Sequence, residues 1–266
     1  MLSFIDTHSH ITDPRYNLEE IEKHWKENNI SNVFAVSYDK KSIIDVTNVA
    51  FNNNNIYAII GVHPDDCDDY NNETEELIKS LAKNKKVLAI GEIGLDYHEI
   101  DANDFEKKNK QKEVFISQIK LADELGLPIM IHLRDACKDM LDILHDYSHY
   151  LNNGGIIHCF GESVETYDAV KKLGFVIGVG GVVTFKNGKR LQQVVEHADV
   201  RDIILETDCP YLTPEPFRGQ INEPKNILYI AQKVCEIKGL TMSELSEITN
   251  KNVERVFPRF GGRNNG

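Results

Sequence analysis

Residues 105–132 read Phe-Glu-Lys-Lys-Asn-Lys-Gln-Lys-Glu-Val-Phe-Ile-Ser-Gln-Ile-Lys-Leu-Ala-Asp-Glu-Leu-Gly-Leu-Pro-Ile-Met-Ile-His. Val114, Ile116, Ile119 and Leu121, with Ala122 and Leu125, recur at spacings near three and four, which predicts an amphipathic helix that Gly126 stops. Pro128 then opens a short apolar strand over residues 128–132, ending on His132. A helix followed at once by a buried strand is half of a βαβ unit. The same alternation runs through the chain. Apolar, β-branched runs at residues 4–6, 32–36, 56–61, 87–91, 128–132, 155–158, 175–178 and 203–206 predict eight strands with helical patterns between them. Eight such units in 266 residues favour a closed, single-domain (β/α)8 TIM barrel of the α/β class over an open doubly wound sheet.

Two further helical patterns, at residues 225–237 and 243–256, are expected to pack outside the barrel. The second has a Ser243 start resembling an N-cap with acids in the first turn. The barrel is expected to occupy residues 1–260, with residues 261–266 a flexible tail that has nothing apolar to bury.

Composition narrows the function. With 41% hydrophobic and 27% charged residues the chain is an ordinary globular one, and no apolar run approaches the roughly 20 residues that cross a bilayer. No basic, apolar leader is evident at the N-terminus, and five cysteines without a CxxC pair suit a reducing compartment, so a cytoplasmic location is expected. A formal charge of −12 argues against a generally basic nucleic-acid-binding surface. It does not exclude a nuclease, because metal ions and one or two arginines restore local positive potential. No obligate protein partner is evident.

The barrel prediction gives the polar residues their meaning, since barrel enzymes place reactive groups at the C-terminal ends of strands. His8 and His10 follow the first predicted strand, His63 the third, Glu92 the fourth, His132 the fifth, His158 the sixth and Asp208 the eighth. Residues two apart on extended backbone project to one side, so His8 and His10 can share one ion. Any one of these residues alone reads as a hydrogen-bonded polar cap; together they read as a metal site. Four imidazoles and two carboxylates suffice for two divalent ions with positions open to water. Glu92, between the histidine pairs in chain order, is the natural bridge, setting the ions about 3.5–4 Å apart as in two-metal hydrolases. The ligand types leave Mg2+, Mn2+ and Zn2+ open.

Around this set, Arg134 and Arg218 are candidate phosphate-binding residues and His63 a candidate substrate-binding one, with Lys186 weaker. Glu206, two residues before Asp208, either orients a ligand or caps a core network. His98 and Tyr97 can reach a substrate without any spacing that demands it. Cys159 and Cys209 adjoin candidate ligands but are read as facing away from them.

These blocks together resemble a known family, the TatD-type metal-dependent deoxyribonucleases among the amidohydrolase-like barrels. The resemblance spans nearly the whole chain through Asp6-Thr-His-Ser-His10, Gly61-Val-His-Pro64, Gly91-Glu-Ile-Gly-Leu-Asp-Tyr97, Leu127-Pro-Ile-Met-Ile-His-Leu-Arg-Asp135, His158-Cys-Phe160, Glu206-Thr-Asp-Cys-Pro-Tyr-Leu212, Arg218-Gly219 with Asn222-Glu-Pro224, and Asn252. It implies one ion on His8, His10, Glu92 and Asp208, a second on Glu92, His132 and His158, and Asp208 as the group that orients or deprotonates the attacking water. Asp208 and Glu92 are thus the catalytic pair. The implied substrate is DNA, often trimmed from a 3′ end, in single-stranded or frayed form. The chain departs from the family's usual pattern at Asp65, where many relatives have a second histidine, and at Gly161-Glu162 in place of Ser-Gly. Added acids there would repel phosphate. An amidohydrolase acting on a small amide, ester or aminoacyl bond uses the same residues, and a non-catalytic metal-dependent interaction protein is the reading from another class.

Overall fold

The computed structural model describes residues 2–260 and Gly262. Eight strands alternate with helices: β1 (Phe4–Ser9), α1 (Leu18–Glu27), β2 (Ile30–Val36), α2 (Lys40–Phe51), β3 (Ile56–Ile60), α3 (Asn72–Leu81), β4 (Val87–Asp96), α4 (Phe105–Leu125), β5 (Ile129–Arg134), α5 (Cys137–Asp146), β6 (Gly155–Ile157), α6 (Val164–Lys172), β7 (Phe175–Val179), α7 (Lys189–His197) and β8 (Ile203–Leu205). Two helices follow, α8 (Ile227–Lys238) and α9 (Met242–Val256). All strand pairs are parallel, in the order β1 to β8. The fold is the expected (β/α)8 barrel. No helix among the described residues is long and apolar enough to cross a membrane. The expected tail at 261–266 lies, Gly262 apart, outside the described residues.

The seam between β1 and β8 closes the barrel only in part. A single parallel bridge pairs Ser9 with Cys209. Cross-links complete it: Thr7 Oγ1 donates to the Leu205 carbonyl at 2.9 Å, Asp208 N–H to the His8 carbonyl at 2.9 Å and His10 N–H to the Cys209 carbonyl at 2.8 Å.

Inside the barrel, Ile5, Phe34, Val36, Ile59, Ala89, Met130, Ile156, Val176 and Ile204 form one apolar cluster, and the outward faces of the strands pack with the helices into a second, larger one. Strict alternation would turn His8, three residues after Ile5, and Glu92, three after Ala89, away from the interior. Both strands carry one extra residue at that point: Asp6 to Ser9 spans three steps against two on β2, and Ile90 to Ile93 three against two on β5. A β-bulge of this kind re-aims side chains, and here it brings His8 and Glu92 to the mouth. Gly94, with φ +145°, then packs where any Cβ would lie 2.0 Å from the His132 carbonyl oxygen.

Residue 243 does not open the last helix. Thr241 is its N-cap, in a capping box with Glu244: the Thr241 hydroxyl accepts the Glu244 N–H and the Glu244 carboxylate accepts the Thr241 N–H, so two otherwise unpaired N–H groups are satisfied. The helix closes the bottom of the barrel: Val253, Val256 and Phe257 join the interior cluster, and Phe257 meets Phe34 edge to face. Buried Asn252 donates from Nδ2 to the carbonyls of Val200 (2.9 Å) and Ile203 (2.8 Å), tying α9 to the start of β8. Asn252→Ala removes both of these buried hydrogen bonds and is expected to lower stability by about 1–3 kcal/mol. Equilibrium urea unfolding should show a lower midpoint at unchanged slope.

Candidate metal centre

The strand ends converge on a cleft of about 770 Å³. At its floor sits Glu92, 4% exposed, with its two carboxylate oxygens facing different histidines. Oε1 lies 2.7 Å from His132 Nδ1 and 2.7 Å from His158 Nε2. Oε2 lies 3.4 Å from His8 Nε2 and 3.9 Å from His10 Nε2. Asp208 Oδ1 completes the second side, 3.6 Å from His8 Nε2 and 3.5 Å from His10 Nε2. The rings of His8 and His158 stack at 3.9 Å, so the two halves touch. Asp208 itself stands just beyond β8 with φ +54°, as His158 stands just beyond β6.

Charge explains the ionisation of this cluster. Burial alone would raise the Glu92 carboxyl, but His158, His8 and His132 outweigh it and hold it well below the usual carboxylate range. Burial opposes the charged forms of His10, His132 and His158 as well, yet their carboxylate neighbours win and all three are raised. His8 goes the other way, lowered by burial and by repulsion from His158. Asp208 is lowered because its contacts with His10, His8 and His158 overcome burial.

Donor chemistry fits divalent ions. His8, His10 and Glu92 form one set whose ligand atoms lie within 4.8 Å of one another, and Glu92, His132 and His158 form another. Imidazole nitrogen favours zinc or manganese, whereas carboxylate oxygen also suits magnesium. No cysteine belongs to such a set among the described residues.

The structure brings all six candidate ligands together, and His63 with them. His63 Nδ1 accepts the Asp65 N–H at 3.1 Å and Nε2 lies 3.8 Å from Glu92 Oε1. Burial pulls its pKa down to about 4, so it is neutral at pH 7. Arg134 lines the cleft, 52% exposed at its side chain. Arg218 does not: its guanidinium stacks on the Phe185 ring, 3.7 Å from the centroid, a contact that parity and spacing could not foretell. Lys186 is exposed outside the lining, His98 pairs with Asp135 at 2.8 Å, and Tyr97 donates its hydroxyl to Asp139 at 2.9 Å. Asp65 and Glu162 both line the cleft.

Four lining residues carried no signal in the sequence that singled them out. Asp96 accepts from His132 Nε2 at 2.9 Å. Arg190, exposed on α7, faces the cleft. Tyr38 and Tyr211, 43% and 51% exposed, flank His10 with ring centroids 5.9 and 6.1 Å from its own. Asp96 stands in a quoted motif, but its distance from His132 depends on the pairing of β4 with β5.

A barrel with this floor defines a class, the metal-centred hydrolase barrels. The family model described as TatD related DNase matches residues 5–258, and the chain belongs to that family. A Bacillus subtilis relative named as the uncharacterized metal-dependent hydrolase YabD is 41% identical over 95% of this chain and 98% of its own length. The 3′-5′ ssDNA/RNA exonuclease TatD of Shigella flexneri is 32% identical over 76% of this chain and 77% of its own. Among solved structures, the TatD homologue YJJV of Escherichia coli superposes with a TM-score of 0.88 at 25% identity, covering 97% of this chain and 99% of that one.

Because His10, His132 and His158 are raised, they keep their protons to higher pH than a free imidazole does, and a metal must displace protons to bind there. Binding of Mn2+ or Zn2+ at pH 7 is therefore expected to release protons and to weaken as pH falls. Calorimetry in buffers of different ionisation enthalpy measures the release. Chelation should leave the far-UV circular dichroism unchanged, since neither apolar cluster contains a candidate ligand.

Proposed function

We propose that this protein is a two-metal phosphodiesterase that hydrolyses DNA from a 3′ end, acting on single-stranded or frayed termini. The observation that carries the reading is Glu92, whose two oxygens face two separate histidine pairs at the floor of an open cleft. One ion would be held by His8, His10, Glu92 and Asp208, the other by Glu92, His132 and His158. When bound, such ions supply Lewis-acid charge and acidify a water.

The chain's own residues do the rest. Asp208, ionised at neutral pH, orients the attacking water and takes its proton at a carboxylate oxygen. Arg134 donates two N–H groups to a non-bridging phosphate oxygen, and Arg190 neutralises a neighbouring phosphate. Tyr38 and Tyr211 offer ring surface on which bases of a single strand stack. The exonuclease named among the relatives supports this assignment. Five free cysteines suit a reducing compartment, and we assign the protein to the cytoplasm.

Asp65, Asp66, Asp135 and Glu162 share the rim with the two arginines. That negative charge favours a second reading, hydrolysis of a small amide, ester or aminoacyl bond by the same centre. With Mg2+ or Mn2+, the purified protein is expected to shorten a 5′-labelled single-stranded oligonucleotide stepwise, and Glu92→Ala and Asp208→Ala to abolish this. Arg134→Ala should raise KM tenfold or more, as loss of a charge-assisted contact of about 1.5–3 kcal/mol implies, with a smaller change in kcat. Turnover of an ester and amide panel in preference to the oligonucleotide would move the assignment to the second reading. Metal binding without turnover of any of them would leave a non-catalytic metal protein.

A further inference from the structure

The two candidate ion positions differ in what lies behind their histidines. On one side the outer ring nitrogens face carboxylates. His132, whose Nδ1 points at Glu92, has Nε2 2.9 Å from Asp96 Oδ2. Asp96 is 5% exposed and firmly held: its Oδ1 accepts the His98 N–H at 2.9 Å, and its own N–H donates to Gln111 Oε1 at 2.9 Å. His158, whose Nε2 points at Glu92, has Nδ1 3.6 Å from Glu206 Oε1. Glu206 is fully buried, and its carboxylate fills the space beside Gly178, where a Cβ would come within 2.3 Å of Oε2. Cys159 N–H anchors Oε1 at 2.5 Å, while His158 Nδ1 and Glu206 Oε2 are both buried without a hydrogen-bond partner.

On the other side the outer partners are neutral. His8 Nδ1 faces the Met130 sulfur at 3.0 Å, and His10 Nδ1 faces the Val36 carbonyl at 3.2 Å. A thioether is a weak acceptor. A carboxylate behind an imidazole fixes the proton on the outer nitrogen, leaves the inner lone pair free for an ion and makes it a better donor. A proton held between His132 Nε2 and Asp96 places the lone pair of Nδ1 toward Glu92 and His158.

We propose that Asp96 and Glu206 are positioning residues that make the Glu92, His132 and His158 position the tighter of the two, so that it fills first. The position formed by His8, His10 and Asp208 with Glu92 then takes its ion last and loses it first. Activity in turn follows the second equivalent of metal rather than the first. This inference rests on the two-ion reading above.

Titration of the metal-free protein with Co2+, followed by visible absorption and calorimetry, tests it. Two resolved steps are expected. Asp96→Asn and Glu206→Gln should each weaken the first step by about 10–100-fold and alter its absorption bands, while the second step stays nearly in place. Asp208→Asn, on the opposite side, should weaken the second step and leave the first. Unfolding midpoints in chelator identify any variant that fails to fold; Asp96→Asn, nearly isosteric, still decides the matter if Glu206→Gln does. Two equal steps, or a first step insensitive to Asp96→Asn, overturn the inference while leaving the two-ion reading intact. A third equivalent lost in Asp96→Asn would make Asp96 a ligand with His63 and His132, and overturn it too. No cobalt bound at all sinks both.

Discussion

Two backbone hydrogen bonds across the β1–β8 seam, from Asp208 N–H to the His8 carbonyl and from His10 N–H to the Cys209 carbonyl, hold the chemistry of this molecule in place. They join residues about two hundred positions apart and set the imidazoles of the first strand against the carboxylate that follows the last. Beneath them, buried Asp6 accepts from the N–H of Thr207 at 2.9 Å and from its hydroxyl at 2.5 Å. Burial pushes the Asp6 carboxyl up to about 8 in spite of these donors. The seam is therefore a polar strut where a regular ladder would run, and any change that loosens it separates His8 and His10 from Asp208.

Within that frame the bulges on β1 and β4 place Glu92 where neither pair of histidines can avoid it. A buried carboxylate among imidazoles is stable only while the imidazoles carry protons or share a cation, because an unpaired buried charge is strongly penalised. Protons and metal ions thus compete for one electrostatic vacancy. The cluster owes its acidity pattern to the pairing of buried carboxylates with imidazoles, which overcomes burial so that both carboxylates are lowered and three of the four candidate ligand imidazoles are raised.

The rim works against the floor. Arg134 and Arg190 face a cleft that also holds Asp65, Asp66, Asp135 and Glu162. Burial raises the Asp66 carboxyl to about 6, an acid whose charge is itself partly suppressed near neutral pH. A polyanion enters such a cleft only where the arginines and the floor prevail, and this sets a narrower path than a uniformly basic groove would.

Much of this is legible in the sequence, because strands and helices announce themselves by period and stop residues. Alternation over the whole chain determined the barrel, and the rule that barrel chemistry gathers at strand ends picked out His8, His10, His63, Glu92, His132, His158 and Asp208 as neighbours. What periodicity cannot carry is the extra residue in a strand, the ring nitrogen a histidine presents, or the loop that follows the last strand. Those depend on pairing between strands, and so the tertiary structure alone decided that β1 and β4 bulge, that Asp96 stands behind His132, that Arg190 faces the cleft while Arg218 lies on Phe185, and that Tyr38 and Tyr211 flank His10. Local pattern records which side of an element is apolar; side-chain chemistry at a site is set by contacts between elements, which no single segment contains.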